Sequence, residues 1–148
     1  MVNRKIKIRS ALIIGSTSLV AKCIVEQLAK NKCVKFRLLA RNKKANDDFA
    51  QSLRTRFLVD VSTASLDLVA SASEKPFGFT RDEFDLVVVT VGTLGDTELA
   101  TKEASEALSI ATTNYLGLIP WLVALTSPER LEKRGRLWVF SSVAGDRG

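Results

Sequence analysis

The segment Gly15-Ser16-Thr17-Ser18-Leu19-Val20-Ala21 joins a short apolar run, Ala11 to Ile14, to an amphipathic stretch in which Val20, Cys23, Ile24 and Leu28 share one helical face. A loop in that position gathers free backbone N–H groups and the positive end of a helix dipole, which together suit a pyrophosphate. Ser16, Thr17 and Ser18 can add hydroxyl hydrogen bonds to phosphate or hold the turn. Leu19 and Ala21 stand where a dinucleotide loop usually has glycine, for close backbone approach and helix packing. Taken alone, the loop therefore suits either dinucleotide binding or a plain strand-to-helix turn.

A second apolar run, Val34 to Ala40, ends at Ala40-Arg41-Asn42. A carboxylate there would accept hydrogen bonds from the ribose hydroxyls of an adenosine and repel a 2′-phosphate; Ala40 supplies none, and Arg41 offers a bidentate phosphate clamp. These residues favour NADP over NAD; the alternative is that Arg41, Lys43 and Lys44 are simply exposed loop cations. Asp60, followed by Val61, closes a third run, Phe57-Leu58-Val59, and is read as an adenine-amine acceptor, a helix N-cap, or both.

Composition narrows the chemistry. The chain of 148 residues is 46% hydrophobic and 26% charged, the profile of one globular, soluble domain. It contains no histidine, so Ser-His-Asp and Cys-His triads and imidazole metal sites are excluded. Cys23 and Cys33 are too few for a disulfide scaffold and fit packing thiols in a reducing compartment. The formal charge of +6 belongs to the N-terminal third, because residues 1–9 and 27–46 hold half of the bases and no acid. No aromatic series for base stacking is interleaved with them, so a solvated face is expected rather than a nucleic-acid site. Lys22 before Cys23 and the break at Gly15 argue against a secretory leader. No stretch is expected to cross a membrane, since the apolar segment Leu116 to Leu125 is short and contains Pro120.

Periodicity supplies the elements that must hold these residues. Helical patterns span Leu19 to Lys30, Asn46 to Arg56, Ser62 to Ser73 (with Thr63 as a possible N-cap and Pro76-Phe77-Gly78 closing it) and Glu98 to Leu125, with Pro120 at a kink or in a new first turn. Leu86 to Val91, bounded by Asp85 and Gly92, is the clearest buried strand, and the last strand covers Leu137 to Ser141. Strands alternating with helices predict an α/β, Rossmann-like, doubly wound parallel sheet in the order 3-2-1-4-5. The ligand crevice then lies beyond strands 1 and 4, at the loops Gly15 to Ala21 and Gly92 to Asp96.

Together the Gly15 to Ala21 loop, Ala40-Arg41, Asp60-Val61, the strand Asp85 to Thr90 leading into Val91-Gly92, Asn114 and the terminal Gly135 to Gly145 segment resemble the short-chain dehydrogenase/reductase family. The resemblance implies an NADP-dependent reductase, with NAD the lesser cofactor, acting in the cytoplasm as a homo-oligomer on a small-molecule ketone. Ser142 matches the family serine that hydrogen-bonds the substrate carbonyl, and Asn114 the helix asparagine that holds a water in the proton relay. Val91 and Gly92 match the segment beside the cofactor. The family's Asn-Ala-Gly after strand 4 reads Thr90-Val91-Gly92, which removes the asparagine that braces the sheet. The stretches 91–96 and 145–148 resemble decaprenylphosphoryl 2-keto-ribose and polysaccharide-cluster reductases, implying a sugar or lipid-linked sugar ketone. The family's Tyr-x-x-x-Lys pair would lie beyond Ser142, and Tyr115, the single tyrosine, has Ile119 four residues later. The expectation is a single domain, 1–148, forming the nucleotide-binding part of a reductase that lacks the family's C-terminal strands and helices. A non-catalytic nucleotide-binding or interaction module is the alternative.

Overall fold

The computed structural model describes residues 7–70, 84–126 and 131–141, with side chains from residue 135 onward in the last stretch. The chain alternates β1 (Ser10–Ile14), α1 (Leu19–Lys30), β2 (Lys35–Ala40), α2 (Lys43–Phe57) and β3 (Asp60–Ser65). It continues with β4 (Phe84–Val89), α3 (Thr97–Ala100), α4 (Ala104–Asn114), a 3-10 turn at Leu116–Leu118, α5 (Ile119–Leu125) and β5 (Leu131–Val139). The five strands form one sheet in the order β3-β2-β1-β4-β5, all pairs parallel. This is the predicted Rossmann-like topology. β1 lies at the point where the chain order reverses, with Ile13 in register with Leu38 of β2 on one side and Val88 of β4 on the other. Connections therefore leave β1 and β4 in opposite directions and open a crevice beyond their C-terminal ends.

Strand alternation divides the core between two faces. Ala11, Ile13, Leu38, Leu86 and Val88 meet Val25 of α1 and Phe49 and Leu53 of α2. Leu12, Ile14, Leu39, Val87 and Val89 meet Leu118, Trp121 and Leu125. Burial on both faces explains why β1 and β4 are continuous apolar runs. Lys22 lies 5.6 Å from the centroid of the Phe49 ring, and Arg56 bonds Glu26 at 2.6 Å, so α1 and α2 are joined at both ends of their contact.

Four elements differ from the periodicity reading. Phe57 is the last residue of α2 and Leu58 its left-handed C-cap, so the third strand starts at Asp60 rather than ending there. Residues 62–65 are consequently strand, and the helix expected from Ser62 is absent over the described residues; Ser71 to Gly78 lie outside them. The long helix breaks after Asn114, and Pro120 occupies the first turn of α5, where its missing N–H costs nothing. Gly117 permits this break, because a Cβ there would come within 2.6 Å of the Leu68 carbonyl and 2.9 Å of the Thr112 carbonyl. β5 starts earlier and ends earlier than expected, with an irregular register against β4 between Phe84 and Leu86.

By length and composition the helical run Ala104–Leu125, with mean hydropathy 1.4, is sufficient to cross a membrane, contrary to the sequence expectation. Leu118, Trp121 and Leu125 pack on the sheet, while 22% of the apolar window is buried.

Candidate nucleotide-binding crevice

The β1–α1 loop is built around Gly15. Its φ of +89° is open to glycine, and a Cβ would come within 2.9 Å of Thr90 Oγ1 and 3.0 Å of the Val91 nitrogen. The Gly15 and Ser16 N–H groups both donate to the Leu39 carbonyl, at 2.8 and 3.1 Å, which ties the loop to the end of β2. Ser18 is the N-cap of α1: its Oγ accepts from the Ala21 N–H at 3.1 Å. The N–H groups of Thr17, Leu19 and Val20 have no acceptor among the described residues. The first turn of α1 contains no acid. Three free donors and a helix dipole therefore remain for an anion.

Ser16 does not serve that anion. It is fully buried, and its hydroxyl donates to Asn46 Oδ1 at 2.6 Å beneath the loop, so the sequence assignment of Ser16 to the cofactor is corrected to a structural one. Asn46 was missed by the sequence reading. The available signal was its place in the stripe Asn46, Phe49, Ala50, Leu53, where an amide interrupts an otherwise buried apolar face. Thr17 and Ser18 line the crevice with Gly15, whereas Leu19 and Val20 point largely outward and offer only their backbone N–H groups.

The expected loss of a brace at strand 4 is also corrected. Thr90 N–H donates to the Ile14 carbonyl at 2.9 Å, its hydroxyl donates to the Gly15 carbonyl at 3.0 Å, and the same oxygen accepts from the Ser18 hydroxyl at 3.1 Å. A threonine thus performs the bracing through its hydroxyl.

At the end of β2, Ala40 is buried and Arg41 is exposed along the crevice wall, with no described side chain paired to it. Lys43 and Lys44 instead bond Asp47 and Asp48 one turn along α2. Lys43 and the Thr63 hydroxyl hold the Asp47 carboxyl below its ordinary range. Asp60 and Val61 do not reach the crevice. Asp60 lies in register with Lys35 at the opposite end of the sheet, and Val61 is buried in the core, because the third strand begins three residues later than read. Asp67 occupies the corresponding place after β3, on the crevice wall, with Oδ1 accepting from Val69 N–H at 2.9 Å and Ala70 N–H at 3.3 Å.

The crevice encloses about 280 Å³. Val91 and Gly92 border it and a neighbouring cleft of about 490 Å³, which also touches Leu94, Asn114, Phe140 and Ser141. Asn114 clamps one peptide of that wall: Oδ1 accepts from Thr93 N–H at 2.7 Å and Nδ2 donates to the Thr93 carbonyl at 2.8 Å. Its amide thus holds the loop after β4. Ser142 lies outside the described residues; Tyr115 is exposed beside Asn114.

No family model matches the chain. An uncharacterized oxidoreductase of Mycobacterium tuberculosis is 33% identical over 114 residues, which are 74% of this chain and 46% of that protein. A short chain dehydrogenase from Shigella flexneri superposes with a TM-score of 0.75 at 20% identity, over 95% of this chain and 57% of its own. A 3-oxoacyl-[acyl-carrier protein] reductase with bound NAD from Brucella melitensis gives a TM-score of 0.71, and the closed form of a serine dehydrogenase complexed with NADP+ gives 0.66. Each is 20% identical and covers 93% of this chain and 55% of its own. These likenesses do not single out the keto-ribose reductase subgroup. The chain spans about half the length of the relatives it matches, and its fold is the Rossmann-like fold of the short-chain dehydrogenases.

Proposed function

We infer that this chain supplies the cofactor-binding part of an NADP(H)-dependent reductase of the short-chain dehydrogenase/reductase kind, which moves hydride to the ketone of a small molecule such as a sugar or lipid-linked sugar. One observation carries the reading: Thr17, whose N–H is free among the described residues at the start of α1, and Arg41, which no described side chain pairs, line the same crevice, with no carboxylate at the end of β2. These donors fit a pyrophosphate at α1 and a 2′-phosphate at Arg41. Asp67 and Leu68 would border the adenine, and Val91 and Gly92 would guide the rest of the cofactor towards the second cleft.

Bound NADPH would supply the hydride. Asn114 would hold the wall of the second cleft through Thr93, and Ser142, by the family resemblance, would hydrogen-bond the substrate carbonyl. A homo-oligomer would cover Leu108, Leu116 and Val123, which the helical run 104–125 exposes.

Fluorescence titration with NADPH and NADH tests the assignment. A charge-assisted contact worth about 1.5–3 kcal/mol corresponds to NADPH binding about tenfold or more tightly. Arg41→Asp should erase that preference, and equal affinities in the parent would overturn the NADP reading.

A further inference from the structure

Ser16 and Asn46 are both fully buried, an uncommon setting for two polar side chains. A leucine at position 46 would complete the apolar stripe formed by Phe49, Ala50 and Leu53, and asparagine is a poorer helix former. The retained amide has specific work. Its Nδ2 donates to the Leu38 carbonyl at 3.0 Å and reaches the Ala64 carbonyl at 3.4 Å, so its Oδ1 is the acceptor that faces Ser16. The Leu39 carbonyl already takes the Gly15 and Ser16 N–H groups, and the single Ser16 hydroxyl proton is best used at 2.6 Å on Asn46. The pair therefore connects the β1–α1 loop, the ends of β2 and β3, and the first turns of α2.

Those are the pieces that would carry the two separate anion contacts of the proposed function. The loop leads into the free N–H groups of α1. Arg41 directly precedes Asn42, which caps α2 by accepting from Ala45 N–H at 3.0 Å, and Asn46 N–H donates to the Asn42 carbonyl at 3.1 Å. Asn46 thus fixes Arg41 through one helical turn and the α1 loop through one hydroxyl.

We propose that Asn46, acting through Ser16, is a positioning residue that sets the separation between the α1 anion contact and Arg41, and so gives the crevice its selectivity for a nucleotide that carries both a 5′-phosphate and a 2′-phosphate. This rests on the reading of the crevice as an NADP site and deepens it. A ligand held at two points gains from the effective concentration of the second contact, and that gain falls when the anchors move relative to each other. A ligand held at one point does not sense their separation.

The experiment compares adenosine 2′,5′-bisphosphate, 5′-AMP and 2′-AMP by NMR titration of the parent, Asn46→Leu, Ser16→Ala and the double variant, with melting curves for each. Asn46→Leu should weaken the bisphosphate about tenfold while shifting each mononucleotide less than about twofold, and Ser16→Ala should act in the same direction. The double variant should be no worse for the bisphosphate than Asn46→Leu, since both break one chain of contacts. Where Asn46→Leu fails to fold, Ser16→Ala gives the same discrimination, because it cuts only the link to the loop. Equal weakening of all three ligands, or no change in any, would overturn the proposal by reducing the pair to a structural or idle role. A parent that binds none of the three would instead overturn the nucleotide reading beneath it.

Discussion

The hydroxyl of Thr90 lies 3.1 Å from the hydroxyl of Ser18, which joins the end of β4 to the N-cap of α1 across 72 positions of sequence. Ser18 Oγ in turn accepts from Ala21 N–H, and Thr90 Oγ1 donates to the Gly15 carbonyl. One side chain thereby fixes both the glycine turn and the first turn of the helix. Replacing it by valine keeps the shape but leaves the Ser18 hydroxyl without its acceptor and the Gly15 carbonyl with the Ser18 N–H alone among the described donors. Thr90→Val should cost about 1–3 kcal/mol, read by urea denaturation, and weaken nucleotide binding. Unchanged stability would show that water replaces the hydroxyl at this site.

Gly15 should be still less replaceable. A Cβ would combine a left-handed backbone with contacts of 2.9 and 3.0 Å to Thr90 and Val91. Gly15→Ala is predicted to destabilise the fold by about 1–3 kcal/mol and to abolish titratable nucleotide binding. Binding at parental affinity would mean that the turn relaxes without disturbing the crevice.

The two cysteines should differ in reactivity. Cys33 is buried, and burial pushes its thiol up to about 11 from an ordinary value of 9.0; Cys23 is exposed on α1. The reactive thiolate of Cys33 is therefore scarce in the folded protein below about pH 11, so iodoacetamide at pH 8 should label Cys23 first and Cys33 only after denaturation. Stability should be flat with respect to this thiol below about pH 9 and fall as pH rises from 9 towards 11, because the unfolded thiol ionises first. Equal labelling of both residues in the folded state would contradict the burial of Cys33.

The sheet was legible in the sequence because β1 and β4 are buried on both faces and leave unbroken apolar runs. The third strand was not. Asp60–Ser65 lies at the edge of the sheet with Val61 as its only fully buried position, whereas Phe57-Leu58-Val59 looks like a strand although Phe57 closes a helix and Leu58 caps it. Reading Asp60 as the end of the strand, when it is the first of its six residues, moved the candidate carboxylate from Asp67 to Asp60 and placed it at the wrong end of the sheet. Gly15, Thr17, Ser18 and Arg41 line the crevice, as a loop after the first strand and a cation after the second must by topology. Ser16 was misassigned because its partner, Asn46, lies 30 residues away, beyond the reach of local periodicity. Thr90 was undervalued for a similar reason: its hydrogen bonds run to residues 72 and 75 positions distant.

The central claim is that a dinucleotide lies across the start of α1 with its 2′-phosphate on Arg41. Amide and guanidinium NMR signals of the parent chain, followed while NADPH is added, test it most directly. The account predicts that the Thr17, Leu19 and Val20 amides and the Arg41 guanidinium move together and saturate at one affinity, and that NADH moves the three amides but not Arg41. Shifts confined to another part of the surface, or an Arg41 signal that ignores NADPH while the amides respond, would contradict it.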